Sequence, residues 1–281
     1  MRLVKYVADG RPHIGVRIDE ERVAPAPWND FEELFAQDGP LAAVLAFDPS
    51  TVDAIRPERL LAPTVNRPYV IGTGGNYPDH VAEAKAEIDT REPVFLPFLW
   101  GAIIGPDDDI VVPAEDTLTD YEVEFSVVIG KVAKGLTRDN AMDYVFGYTI
   151  VNDVSAREVM ARERMQAMLS KSVDTFLPVG PHIVTKDEIA DPYSLAISTY
   201  LNGEVRQKAV TGSMMHRIPQ LLETLTRTIT LHPGDIVTTG TPGGVGYFRD
   251  PPEFLHPGDT IVAQVEQVGR LVNKVQAGWL A

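Results

Sequence analysis

From about residue 64 onward the chain is cut by Pro-Gly, Gly-Asp and Asn-Gly pairs into many short apolar runs, and only three stretches, near residues 78–89, 156–169 and 216–227, carry a helical pattern. Short apolar runs bounded by such pairs read as strands, because Gly and Asn tolerate tight-turn backbone and Pro fixes its own φ. Helices do not alternate with strands one for one, which argues against a doubly wound parallel sheet. The expected fold class is α+β, mostly β and mixed.

Residues 1 to 63 read as a small β-rich N-terminal domain, and residues 64 to 281 as the main domain. Leu3-Val4-Lys5-Tyr6-Val7, His13 to Ile18 and Arg22-Val23-Ala24 are short strands joined by turns such as Asp9-Gly10, followed by a helix around 31–37 and a Pro-bearing connector, 56–63. The two Pro-Gly-Asp pieces, at 233–235 and 257–259, each precede an apolar strand and read as turns. The Gly-rich run 239–246 lacks the Lys-Ser/Thr of a phosphate-binding loop and a following helix, so nucleotide binding is rejected.

Charge narrows the partners. With 25 basic and 40 acidic residues the net charge is −15, which repels nucleic-acid phosphates and anionic lipid. No apolar stretch is long enough to span a bilayer, and Met1-Arg2-Leu3-Val4 runs straight into a strand pattern without a secretory leader, so a cytoplasmic protein is expected. The absence of cysteine removes disulfides and thiolate metal sites.

Glu122 and Glu124 stand two apart in Asp120-Tyr121-Glu122-Val123-Glu124-Phe125, just before Ser126-Val127-Val128-Ile129. On a strand, that spacing sends both carboxylates to one face. Asp153 ends a second apolar run, Phe146 to Asn152, where a lone buried carboxylate is costly unless paired or bound to a cation. Oxygen-only ligands suit a hard divalent ion, Mg²⁺ first, with Mn²⁺ or Ca²⁺ fitting the same set. The plainer readings are an acidic pair on a solvated strand face, and Asp153 or Ser155 capping the next helix. Ser155 fits the cap better and leaves Asp153 free.

Several of these pieces together resemble the fumarylacetoacetate hydrolase family in its shorter bacterial branch. The resemblance rests on Gly75-Asn76-Tyr77-Pro78-Asp79-His80, on the Glu122 and Asp153 segments, and on Lys171-Ser172-Val173-Asp174. It continues through Leu201-Asn202-Gly203-Glu204-Val205-Arg206-Gln207, Thr238-Thr239-Gly240-Thr241-Pro242-Gly243 and Leu255-His256-Pro257-Gly258-Asp259, in family order over roughly residues 65–276. It implies a mixed β-sandwich or roll as main domain, a homodimer, and a metal held by Glu122, Glu124 and Asp153.

It further implies a His80–Glu83 pair on a mobile lid helix that activates water, Lys171 as the cation stabilising oxyanion charge, and Thr241 and Tyr77 at the substrate. His80 and Glu83 are three apart and share a helix face, though taken alone such a pair is usually only solvated surface. Arg157 has two readings, a clamp on a substrate carboxylate or an ion-pair partner of a protein acid, and the second is slightly favoured. The implied reaction is hydrolysis of a C–C bond in an acylpyruvate or related diketo acid, through an enolate stabilised at the metal. Decarboxylation of an oxaloacetate-like acid, isomerisation of an unsaturated dioic acid, and a non-catalytic 2-oxo-acid binder are the alternatives. Where many relatives carry Lys-Pro, this chain has Leu96-Pro97-Phe98-Leu99-Trp100. Phe98 and Trp100 are therefore expected to give the pocket an apolar wall and a less anionic distal group, unless both are core.

Overall fold

The computed structural model describes residues 1–85, 91–113, 118–162 and 166–278. Two sheets carry most of it. The larger has 11 strands, and its main path runs, side by side, Val23–Pro25, Arg11–Arg17, Arg2–Ala8, Leu177–Thr185, Val145–Asn152, Val123–Ile129, Ile236–Thr238, Val70–Gly74 and Val94–Phe98. Its pairings are mostly antiparallel, but Ile236–Thr238 lies parallel to Val70–Gly74, with Ile236 opposite Val70. The smaller sheet orders Glu204–Val210, Ala196–Leu201, Thr260–Val265, Gly269–Ala277 and Ile110–Val112. The fold is α+β and mostly β, as the turn pattern implied.

The sheets face each other across one apolar layer, in which Phe125, Tyr148 and Val184 of the larger meet Ile197, Ala263 and Leu271 of the smaller. Phe125 and Tyr148 stack with ring centroids 5.0 Å apart. The opposite face of the larger sheet is covered by two short N-terminal helices, Phe31–Phe35 and Pro40–Ala46, whose Phe31, Leu34, Phe35 and Val44 pack on Val128, Phe146, Leu177 and Ile183. Strands covered on both faces must be apolar throughout, and Val123–Ile129 and Val145–Asn152 bury every residue. That is why both read in the sequence as nearly unbroken apolar runs.

The helix expected around 31–37 is present, capped by Asp30, whose side chain accepts the Glu33 N–H at 2.7 Å. The helix Pro40–Ala46 was not anticipated. Its signal, Pro at the first position of a short Ala- and Leu-rich run, was hidden by the neighbouring Gly39-Pro40 pair. The stretch 156–169 divides into Arg157–Arg162 and Ala167–Lys171, and the third helix runs Ile218–Thr226. Helix Pro78–Ala84 covers the start of the expected 78–89 segment, whose residues 86–90 lie outside those described. Both Pro-Gly-Asp pieces are turns: Asp235 and Asp259 each accept a backbone N–H from three residues back, at 2.7 Å, with Gly234 and Gly258 at φ +90° and +98°.

The N-terminal strands do not stand apart from the rest. Arg2–Ala8 pairs with Leu177–Thr185, Leu3 opposite Ile183, so the large sheet runs across residue 63 without a break in its ladder. Among the described residues no helix is long and apolar enough to cross a membrane.

Candidate active site

The site forms where the buried strands of the large sheet end in carboxylates. Asn152 Oδ1 accepts the Glu122 N–H at 3.0 Å, and the Asp153 N–H donates to the Glu122 carbonyl at 2.8 Å. These bonds lock the start of one strand to the end of the next. As the period of two requires, Glu122 and Glu124 share a face, and with Asp153 they offer oxygens all within 4.8 Å of one another. All three are buried, at 4%, 2% and 2% exposure, so the reading of a solvated acidic face is excluded.

Three buried carboxylates demand positive charge. Lys171 Nζ donates to Glu122 Oε2 at 2.9 Å, to Asp153 Oδ2 at 2.5 Å and to Ser155 Oγ at 3.0 Å. Arg157 donates from Nε to Asp120 Oδ2 at 2.9 Å and from its terminal nitrogen to Glu122. Burial would raise Glu122, but Lys171 and Arg157 overcome it and hold its carboxyl well below the usual range. Glu124 fares differently: burial, then repulsion from Asp153, pushes it well above the usual range. Asp153, raised by burial against the pull of Lys171, sits at about 7.

Two cations thus leave the trio short of positive charge. Asp153 Oδ1 is buried and has no hydrogen-bond partner among the described residues, and an orphaned carboxylate oxygen beside two further carboxylates fits a hard divalent cation. Glu122, Glu124 and Asp153 would hold it.

His80 and Glu83 meet as expected, Nδ1 to Oε1 at 2.8 Å, on helix Pro78–Ala84. The other Glu83 oxygen accepts the Gly244 N–H at 2.7 Å, and His80 meets the Phe248 ring edge-on. Gly244 has φ +101°, and a Cβ there would lie 2.3 Å from the Arg206 carbonyl, so this position admits only glycine without local rearrangement. The helix and the Gly-rich loop are thereby joined at one hydrogen bond.

A cleft of about 110 Å³ gathers Thr73, Gly74, Gly75, His80, Leu96, the three acids, Arg157, Lys171 and Thr241. Six expected site residues beyond Glu122 and Glu124 therefore converge: His80, Asp153, Arg157, Lys171 and Thr241 on the wall, with Glu83 directly behind His80. Tyr77 does not line it. Its side chain is fully buried, and among the described residues its hydroxyl has no hydrogen-bond partner. Arg157 borders the cleft, but its guanidinium is committed to Asp120 and Glu122.

Two expectations are corrected. Ser155 does not cap a helix; it lies in a two-residue strand against Thr119–Asp120, donates to the Asp153 carbonyl at 3.1 Å and accepts from Lys171. Phe98 and Trp100 form no wall of the cleft. Phe98 is 5% exposed and packs over Gly72, where a Cβ would meet its ring at 2.6 Å, and Trp100 is 52% exposed beneath the Arg67 guanidinium. Leu96 and Phe98 share a face of this edge strand, but Leu96 stands opposite Gly72, beside the wall that residues 73–75 give the cleft, whereas Phe98 stands farther off, opposite Val70. Sequence reading also gave no role to Asp120, the buried partner of Arg157, or to Gln207. The period-two continuation Asp120, Glu122, Glu124 was the available signal for the first. Nothing local marks the second.

The geometry can be set beside known proteins. The model for the fumarylacetoacetate (FAA) hydrolase C-terminal domain matches residues 69–276. The mitochondrial oxaloacetate tautomerase of Bos taurus is 38% identical over 288 residues, covering 98% of this chain and 91% of its own length. Among solved structures, a fumarylacetoacetate hydrolase from the psychrophilic Exiguobacterium antarcticum superposes with a TM-score of 0.85 at 35% identity, over 99% of both chains. A 5-carboxymethyl-2-hydroxymuconate delta-isomerase from Mycobacterium smegmatis superposes at 0.77 and 33%, again over 99% of both. With the domain model matched across the site and full-length relatives above 30% identity, the chain belongs to the fumarylacetoacetate hydrolase family.

Proposed function

We propose that this protein is a metal-dependent enzyme that interconverts the keto and enol forms of a small 2-oxo acid of the oxaloacetate type. The observation that carries the reading is the pairing of a poised base with a short cleft: His80, held by Glu83 at 2.8 Å, opens on about 110 Å³. That is well below the roughly 300–1,000 Å³ of pockets for drug-sized ligands, so the cleft suits a small acid. The Bos taurus relative, which this chain matches almost end to end, is named for that chemistry.

A divalent cation held by Glu122, Glu124 and Asp153 would supply Lewis-acid polarisation of the substrate's keto oxygen. With Nδ1 engaged by Glu83, His80 has Nε2 left to take a proton from the carbon beside the keto group and to return one. Burial works against the Lys171 charge, but Asp153 and Glu122 raise its pKa, so it serves as a fixed positive charge facing the developing oxyanion. Tautomerisation needs no water at a second carbonyl, so the small cleft suffices for it.

Hydrolysis of a short acylpyruvate is the second reading, favoured by the Exiguobacterium relative's name and by the same His80–Glu83 pair acting on water. We include in the proposal Mg²⁺ as the working ion, a homodimer and a cytoplasmic location. Metal-stripped protein, with and without Mg²⁺ or Mn²⁺, should be given oxaloacetate and acetylpyruvate. Metal-dependent keto–enol equilibration of oxaloacetate without loss of CO₂, read by NMR in D₂O as exchange at C3, is the expected result. Acetate and pyruvate from acetylpyruvate would replace it with the hydrolase reading, and CO₂ release would replace it with a decarboxylase.

A further inference from the structure

Gln207 lies on strand Glu204–Val210, fully buried, and uses its whole amide. Its Oε1 accepts the Val123 N–H at 3.0 Å and the Thr199 hydroxyl at 2.8 Å. Its Nε2 donates to the Pro242 carbonyl at 2.7 Å and to Thr241 Oγ1 at 2.8 Å. The orientation of the amide is fixed by chemistry: a backbone N–H can only donate, so the oxygen faces Val123, and a carbonyl can only accept, so the nitrogen faces Pro242. Thr241 Oγ1 must then accept from Gln207, and its own hydrogen is left to donate elsewhere. Thr241 is 2% exposed and lines the cleft beside Glu124 and Lys171.

We infer that Gln207 is a positioning residue that forces the Thr241 hydroxyl to act as a hydrogen-bond donor into the cleft, toward an oxygen of the substrate that gains negative charge on enolisation. By holding Val123, the residue between Glu122 and Glu124, the same amide ties that donor to the carboxylate strand. Donor and acids are thereby kept in one register. The assignment rests on the enolisation reading above.

A double-mutant cycle tests it. Thr241→Val, which keeps the shape and removes the donor, is expected to lower kcat for oxaloacetate tautomerisation by about 10²-fold with little change in KM, as loss of one oxyanion donor does. Gln207→Met should lower kcat by roughly 10-fold, and the double variant should lose little more than Thr241→Val alone, far less than the product of the two losses, because the amide acts mainly through that hydroxyl. Thr241→Ser should restore most of the loss. If Gln207→Met does not fold, Gln207→Glu keeps the acceptor for Val123 and Thr199, and its second oxygen, protonated against the Pro242 carbonyl, has no hydrogen left for Thr241 Oγ1, so the same coupling is expected.

Oxalate affinity in the presence of Mg²⁺, measured by calorimetry, provides a readout separate from turnover. Oxalate is a planar dianion shaped like an enolised 2-oxo acid, and the same non-additive pattern is expected in its Kd. Failure of the wild-type protein to tautomerise oxaloacetate, with the oxalate pattern intact, would overturn the functional reading and support this one. Losses from a folded Gln207 variant that multiply with those of Thr241→Val, or unchanged kcat and oxalate affinity, would overturn this one.

Discussion

Arg157 illustrates how much a single residue's role depends on what the fold brings to it. From the sequence it was open between substrate clamp and ion pair. In the structure Asp120, which ends the short strand Thr119–Asp120, and Glu122, just before strand Val123–Ile129, take its guanidinium, and Asp120 is further held by the N–H groups of Tyr121 and Gly246 at 2.9 and 2.7 Å. Truncating one member of such a buried network leaves the others uncompensated, at a cost of about 3–5 kcal/mol. Arg157→Ala is therefore expected to lose that much stability in denaturant titration, far more than a substrate-only contact would. Retention of wild-type stability would return Arg157 to the substrate. The Glu122–Glu124 pair, by contrast, was legible because its geometry depends only on strand period.

At the scale of elements, the contrast lies between the buried strands and helix Pro78–Ala84. The strands bury every residue, whereas this helix buries none and carries an exposed-to-intermediate surface throughout. It is tied down through Glu83, which accepts from Gly244, and through the edge contact of His80 with Phe248. Segments with few buried contacts open at low free energy. Hydrogen exchange of residues 78–84 should thus be faster than that of 123–129 by orders of magnitude, and Glu83→Ala should accelerate it further while leaving the strands unchanged. Equal protection of helix and strands would mean that the helix is not a separately opening element. The existence of this helix, the third one at Ile218–Thr226 and the N-terminal strands was readable from pattern. Pro40–Ala46 was not, because the Gly-Pro pair that starts it also signals a turn.

At the scale of the whole molecule, the two parts of the chain share one sheet and one core: Leu3 and Ile14 pack in the same cluster as Phe146, Leu177 and Ile183. We propose the division at residue 63 as one of sequence order only, and expect a chain starting at residue 64 to be destabilised and aggregation-prone through the exposed edge of Leu177–Thr185. A cooperatively folding 64–281 fragment would make the two parts independent domains. His182, on that same strand, gives a further global test. Burial, then Arg17, Arg2 and the N-terminal amine, pushes its imidazole down to about 3. Between its unfolded value near 6.5 and that value the unfolded chain binds a proton the native protein refuses. Stability is thus lost as pH falls through this window, by up to about 1.4 kcal/mol per pH unit. His182→Leu should flatten the decline of the denaturation midpoint between pH 7 and 5; an unchanged slope would assign it to other groups.

Local spacing along the chain was enough to set the strand-rich class, the turn positions, the common face of Glu122 and Glu124, the shared helix face of His80 and Glu83, and the kinship carried by ordered motifs. Tertiary structure alone decided the partners: Asp120 for Arg157, Lys171 for Ser155, Gln207 for Thr241, and Leu96 rather than Phe98 at the cleft. Spacing along a chain fixes direction within one element, whereas a buried polar group is satisfied by whatever donor or acceptor packing brings from 34 or 37 residues away. Nothing local encodes that meeting.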